Sequence, residues 1–522
     1  MKLTLFWSLA VLGISSVRGD DNLTVKTSTG IYTGMIDPEF PNTHQFRSVA
    51  FAKPPVDSRR WLPPAPLANS TAQHDASNFP LSCPQFISSI PSLFNQFLAQ
   101  GVNIYNGDQN STSGLSGAAT SEDCLYLAIW TPTTVTPASK LPVLFFMTGG
   151  GFQSGGVNIK WQLPTSWVER SQEHIVVTIN YRLNIFGFPN AAGLTEQNLG
   201  ILDQRMALEW VHDNIASFGG DPGQITQWGQ SAGSFSVDIH SYAFYDDPIA
   251  RSYFMQSGTA VRLRGVDDPT HSNFSFVARH FGCDFPTDGA AELDCMRGVP
   301  FAAIENFVGQ YGDDGTQPAL FFSVVTDEKI IFADYSARAA AGLLARVPAI
   351  ISNCANEEAS LYTYPVNNLT VGPYEPAVLA ADLATWLCPT ATTTLLRHAL
   401  GIPVFRYQNA GTYPNLNPFA WLGAYHTSDL PTNFGTYGLL TNLGQTTPFE
   451  VAVSEAMQDR ILTFVKDPES GPQSVGWAPL DPGAPNGGTL LRFGADGKVV
   501  QVVDGVQVDG PCRGIGTYNQ YP

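Results

Sequence analysis

Positive charge is scarce in this chain. Lys and Arg together number 27 in 522 residues, against 45 Asp and Glu, for a formal net charge of −18 at pH 7. A surface of that sign repels phosphate backbones and anionic lipid, which excludes nucleic acid and acidic membrane surfaces as partners. Charge of either sign is sparse: Asp, Glu, Lys and Arg make up 14% of the chain, where an ordinary soluble protein has about a quarter. Polar surface must come instead from Ser, Thr, Asn, Gln and sugars. Five N-x-S/T sequons offer attachment points, at Asn22, Asn69, Asn110, Asn273 and Asn368.

Other absences narrow the class further. There is no H-E-x-x-H run and no Cys/His cluster, so no metal is expected, and nothing implies a cofactor. Beyond the N-terminus no apolar run is long enough to span a bilayer, which excludes stable membrane insertion. No Pro/Ser/Gly linker, internal repeat or low-complexity run divides the chain. One large α/β domain over residues 20–522, with long insertions, is therefore expected where length alone would suggest several. Residues 1–19 have a different character: Lys2, the apolar stretch Leu3–Ile14, then small residues through Gly19. That pattern reads as a secretory signal peptide cleaved after Gly19 and places the mature chain outside the cell.

What is present centres on Trp228-Gly229-Gln230-Ser231-Ala232-Gly233, a single G-x-S-x-G match. Gln224–Trp228 reads as a strand and Ser234–His240 as the start of a helix. A serine on such a turn projects its hydroxyl above the sheet, and the next N–H, that of Ala232, is free to bind an oxyanion. The apolar run Leu141–Met147 suits a buried parallel strand and opens into Thr148-Gly149-Gly150-Gly151-Phe152, whose N–H groups suit the other half of an oxyanion hole. Further strands are expected at Val25–Tyr32 on an edge, Ile175–Tyr181, Tyr253–Gly258, Val347–Ile351 and Pro403–Tyr407. Leu199–Val211 has helical spacing, which completes strand–helix–strand logic ahead of the serine. Between Cys83 and Cys124, residues 84–123 are apolar at first and Gly/Asn/Ser-rich after Gly101. This segment reads either as a packed surface loop or as a lid over an active site.

Together these residues resemble the type-B carboxylesterase/lipase family, of the secreted fungal type; the family also includes the cholinesterases. The specific matches are Ser121–Leu127, the triple glycine with Phe152, Thr178–Arg182, and Phe218–Pro222 running on through Gly233. The resemblance implies an α/β-hydrolase fold: a large, mostly parallel central sheet flanked by helices, with long loop and helical insertions. It implies Ser231 as nucleophile, His426 as general base and Glu357 as the acid that orients it. Gly150, Gly151 and Ala232 fall on the oxyanion-hole donors, and Ser257 on a serine that supports the triad. The family disulfides imply Cys83–Cys124 and Cys283–Cys295, and the cholinesterase branch a third, Cys388–Cys512, leaving Cys354 as the odd thiol.

The chain order Ser, acid, His holds independently, because only His398 and His426 lie beyond the acid candidates, and His398 sits in a helical run. Two adjacent carboxylates compete for the acid. Glu358 keeps a small residue after it, while Glu357 keeps the count of residues from the start of its strand; Glu357 is favoured, with Glu358 on the surface. Departures from the family pattern are Thr148, Gln230, Thr427 and Glu358. No Trp lies between Cys83 and Cys124, which argues against choline esters. The expected function is a secreted serine esterase acting through an acyl-enzyme on a small-molecule or lipid ester. The alternatives are an interfacial lipase on long-chain acylglycerols and a non-catalytic binding protein on the same fold.

Overall fold

The computed structural model describes residues 23–98, 120–262, 265–440 and 443–522. The leader Met1–Gly19, the sequons at Asn22 and Asn110, and residues 99–119 of the loop between Cys83 and Cys124 lie outside the described residues. Among those described, the strands in chain order are β1 (Thr24–Lys26), β2 (Ile31–Thr33), β3 (Met35–Asp37), β4 (Phe40–Ala50), β5 (Gln73–Asp75), β6 (Tyr126–Pro132), β7 (Leu141–Met147), β8 (Ile175–Ile179), β9 (Gly220–Gln230), β10 (Ser252–Gln256), β11 (Ala349–Cys354), β12 (Val404–Asn409), β13 (Thr489–Phe493) and β14 (Val500–Asp504).

Eleven of them form one sheet in the order β14-β13-β12-β11-β10-β9-β7-β8-β6-β4-β3. Every pairing from β8 to β13 is parallel, and the outer pairings are antiparallel. The expected edge strand Val25–Tyr32 is instead two short strands, β1 and β2, which pair antiparallel in a separate small sheet with β5. Residues 27–30 form the turn between them, closed by Thr27 N–H donating to the Gly30 carbonyl at 2.9 Å.

The central strands are apolar on both sides because both faces are covered. In β7, Val143, Phe145 and Met147 join the core with Leu208 and Val211 of the helix Leu199–Asn214 and Val237 and Ile239 of the helix Ala232–Ala243. Leu144 and Phe146 join the opposite core, with Trp228 and with Met457 and Ile461 of the helix Pro448–Lys466. Each such side chain contributes about 1.5–3 kcal/mol on burial. Gly150 and Gly151 after β7, Ser231 after β9 and His426 from the loop after β12 face one crevice, at the strand ends where open parallel sheets bind ligands.

Sulfur bridges join Cys83 to Cys124, Cys283 to Cys295 and Cys388 to Cys512. Cys354, the last residue of β11, is a buried thiol. Asn69 and Asn368 are exposed, while Asn273 is half-buried and donates its side-chain N–H to the Phe321 carbonyl at 3.2 Å. No helix among the described residues is long and apolar enough to cross a membrane.

Candidate active site

Ser231 stands between β9 and the helix Ala232–Ala243 with φ 55° and ψ −122°. This backbone region is costly for any residue with a Cβ and persists only where its surroundings impose it. Here they do: Ser231 N–H donates to the Gln256 carbonyl at 2.9 Å, and its own carbonyl accepts from Phe235 N–H at 2.9 Å. The turn is tight enough that a Cβ on Gly229 would stand 2.2 Å from the Gly233 carbonyl carbon. Ala232 opens the helix, so its N–H has no intrahelical partner, and the helix dipole favours negative charge there.

Gly150 and Gly151, with φ 107° and 64°, turn the chain after β7 and line the same cavity as Ser231. Thr148, where the family often has His, has its hydroxyl tied to Gln162 Oε1 at 3.1 Å, and its carbonyl accepts from the Tyr181 hydroxyl at 2.9 Å.

Glu357 and His426 come from distant segments. Asn356 pairs with Tyr425 in a parallel bridge, and Asn356 N–H donates to the Ala424 carbonyl at 2.9 Å. This clamps the turn after β11 against the loop after β12. His426 Nδ1 then lies 2.7 Å from Glu357 Oε2, while Glu357 Oε1 accepts from Cys354 N–H at 2.7 Å. Both side chains are buried. The Nδ1 proton is thereby committed to Glu357, which leaves Nε2 as a lone pair facing the cavity. The Gln230 side-chain amide approaches that Nε2 at 3.3 Å. No hydrogen bond joins Ser231 Oγ to His426 among the described residues; contacts of this kind commonly tighten only around substrate. Thr427, which replaces a glycine, adopts φ 79°, a strained conformation for a β-branched residue directly beside His426.

Glu357 and Glu358 are not strand residues. They begin a 3₁₀ turn, Glu357–Ser360, so successive side chains diverge around a helix axis and do not alternate across a sheet. Glu358 is also not a surface residue: it is half-buried, and its Oε2 accepts from Trp386 Nε1–H at 2.7 Å. Ser257, at φ 57°, uses its N–H on the Ser352 carbonyl at 2.9 Å. Its buried hydroxyl finds no partner among the described residues, so it is not bonded to Glu357 or His426. His398 is exposed on the helix Cys388–Ala399.

Sequence reasoning missed several buried neighbours. Asp429, three residues past His426, has a carboxyl pushed up to about 6, first by burial and then by the Glu357 charge; its Oδ2 accepts from Gln256 Nε2 at 2.7 Å. Burial, with those two carboxylates nearby, holds the Cys354 thiol well above its ordinary range, where it is inert as a nucleophile. Asp382 is raised to about 8, chiefly by burial, and accepts from Glu358 N–H at 2.7 Å. Trp386 and Phe235 line the cavity. No sequence motif marks either residue.

The cavity has a volume of about 370 Å³ and a mostly apolar wall that includes Phe94, Phe235, Leu361 and Trp386 around Ser231 and His426. Phe94 belongs to the first half of the 84–123 loop. There Leu93 and Leu98 are packed against Ala359, Leu422 and Tyr425. Among the described residues no group of His, Cys, Asp and Glu is arranged to hold a metal ion.

A nucleophile elbow on a parallel sheet, with a carboxylate–histidine pair opening on the same cavity, defines a serine hydrolase of the α/β-hydrolase class. The model of the carboxylesterase family matches residues 21–376. The chain is 37% identical to a secreted lipase from Gibberella zeae, with 95% of each chain covered. It is 38% identical to a chlorogenic acid esterase from Aspergillus niger, with 94% of each covered, and 31% identical to a secreted triacylglycerol lipase from Gibberella zeae, over 80% of this chain and 78% of that one. The chain belongs to the carboxylesterase family and is a carboxylic-ester hydrolase.

Proposed function

We propose that this enzyme is a secreted serine esterase whose triad is Ser231, Glu357 and His426. His426 Nε2 takes the proton of Ser231 Oγ as the oxygen attacks the ester carbonyl. The N–H groups of Gly150, Gly151 and Ala232 hold the oxyanion, and Glu357 stabilises the imidazolium that forms. The alcohol leaves with the proton from Nε2, and water, deprotonated by the same nitrogen, releases the acid from the acyl-enzyme. The observation that carries this reading is the 2.7 Å Glu357–His426 pair opening on the cavity that holds the strained serine. Secretion is supported by the N-terminal leader pattern, the three disulfides and the secreted relatives. The exposed sequons Asn69 and Asn368 are the proposed glycan sites among the described residues.

The proposed substrates are soluble esters of short to medium length. The cavity sits near the small end of the range for ligand pockets, about 300–1,000 Å³. The lipase names of two relatives and the apolar wall favour the second reading, a long-chain acylglycerol at an interface. A panel of esters from acetyl to oleoyl, with and without emulsion, separates them: a steady decline with chain length supports the esterase, and a sharp activity jump on adding an oil surface supports the lipase. An organophosphonate is expected to label Ser231 alone; labelling elsewhere, with turnover intact, refutes the triad.

A further inference from the structure

Glu358, in the position after the triad acid where the family usually has glycine, has its side chain committed elsewhere. Its Oε2 accepts the Trp386 indole N–H at 2.7 Å, and its backbone N–H donates to Asp382 Oδ1 at 2.7 Å. The two contacts lie four residues apart, so one residue grips consecutive turns of the segment that carries the tryptophan. That segment, Leu383–Leu387, is a π-helical turn between the helices Glu375–Asp382 and Cys388–Ala399. Such turns are rare and concentrate at functional sites. Trp386 is 6% exposed. Its ring lies 4.5 Å from the His426 imidazole at an interplanar angle of 35°, and 6.3 Å from Phe235 at 28°. It is therefore both a wall of the cavity and the surface against which the base packs.

We propose that Glu358 is a positioning residue that acts through Trp386, holding the indole against His426 and against substrate. The proposal rests on the esterase reading above. A buried indole N–H needs an acceptor, so the acceptor decides which way the ring faces. Without it the ring turns toward another partner, and both the cavity wall and the packing on the imidazole are lost. The requirement is for an acceptor, not for charge, so an amide oxygen can replace the carboxylate.

The test is a mutant cycle on the full-length secreted protein, with a soluble p-nitrophenyl ester and phosphonate titration of Ser231 to count folded sites. Glu358→Ala and Trp386→Phe are each expected to lower kcat/KM about tenfold. The double variant is expected to fall about tenfold as well, not about a hundredfold, because phenylalanine has no N–H for Glu358 to hold. Glu358→Gln is expected to recover most of what Glu358→Ala loses. A hundredfold loss in the double variant, a Glu358→Ala enzyme within about twofold of the parent, or a Gln variant as poor as Ala each overturns the proposal. If the alanine variant does not accumulate, Glu358→Met, similar in size and without an oxygen acceptor, takes its place in the cycle. Failure of phosphonate to label Ser231 in the unmutated enzyme would instead overturn the triad reading.

Discussion

At the nucleophile, backbone packing leaves no alternatives. A Cβ on Gly233 would stand 1.9 Å from the Met147 carbonyl oxygen, and one on Gly150 would stand 2.2 Å from that of Ser154. At His426, 195 residues further along the chain, the backbone is held by hydrogen bonding, through the Asn356–Tyr425 bridge and the Asn356 N–H on the Ala424 carbonyl. His426 is held by side chains: Glu357 on its Nδ1 edge, Trp386 near its ring and Gln230 near Nε2. The comparison separates two ways of fixing a catalytic group. Steric exclusion acts where backbones touch, whether close in sequence, as Gly150 and Ser154, or distant, as Gly233 and Met147, and it penalises any added side chain. A shell of side chains gathers partners from a strand end, a 3₁₀ turn and a π-helical turn and depends on protonation states, as the buried Asp382 and Asp429 carboxyls illustrate.

Substitutions on the two sides should fail differently. Ser231→Ala is expected to lower kcat by 10⁴ or more, with substrate binding little changed; single-turnover kinetics that retained near-normal acylation would refute the assignment. On the other side, Glu357→Gln is expected to cost on the order of 10⁴ in kcat, because the imidazolium loses its counter-charge and the tautomer is no longer enforced. Glu358→Gln, assayed beside it, should keep most of the activity; if it is the dead variant, the acid assignment is off by one residue.

Gly233→Ala tests the steric side. It should act on stability, costing about 3 kcal/mol, the upper part of the usual range for overpacking, since backbone on both sides must move. Denaturant melts showing a variant as stable as the parent would mean that the elbow is looser than its geometry implies.

A further expected effect concerns pH. The Asp382 carboxyl is raised to about 8 by burial, against about 3.9 in an unfolded chain. The folded state therefore binds this proton more tightly than the unfolded state. Stability from this source is fully present below about pH 4 and is lost as pH rises through about 8. Asp429, raised to about 6, adds in the same direction. The contribution of Asp382 to Tm is expected to fall between about pH 5 and 8, and Asp382→Asn should make the pH slope of Tm less negative. An unchanged slope in that variant would remove Asp382 from the account.

The elements nearest the serine were legible because their signals are local. The run Leu141–Met147 is β7 to the residue, and Leu199–Val211 extends only to Asn214. The edge at Val25–Tyr32 was misjudged because alternation in a short window does not reveal a turn at residues 27–30. Glu358 departs from strand parity because the chain has already left β11 for a 3₁₀ turn. For Trp386 there was nothing to find in sequence: its importance lies in what it touches, and its contacts are 28 to 151 residues away in the chain.

By itself, then, the sequence determined the central strands of the sheet and the turn that carries Ser231. Periodicity, glycine spacing and chain order are properties of residues close in sequence or of their succession, and the physics that reads them is short-ranged. The sequence favoured Glu357 of two adjacent glutamates, but the tertiary structure alone decided how it meets His426 and what the other one holds. That choice depends on where a turn directs each side chain in space, and on whether a buried N–H, donated from a distant helix, is there to receive it.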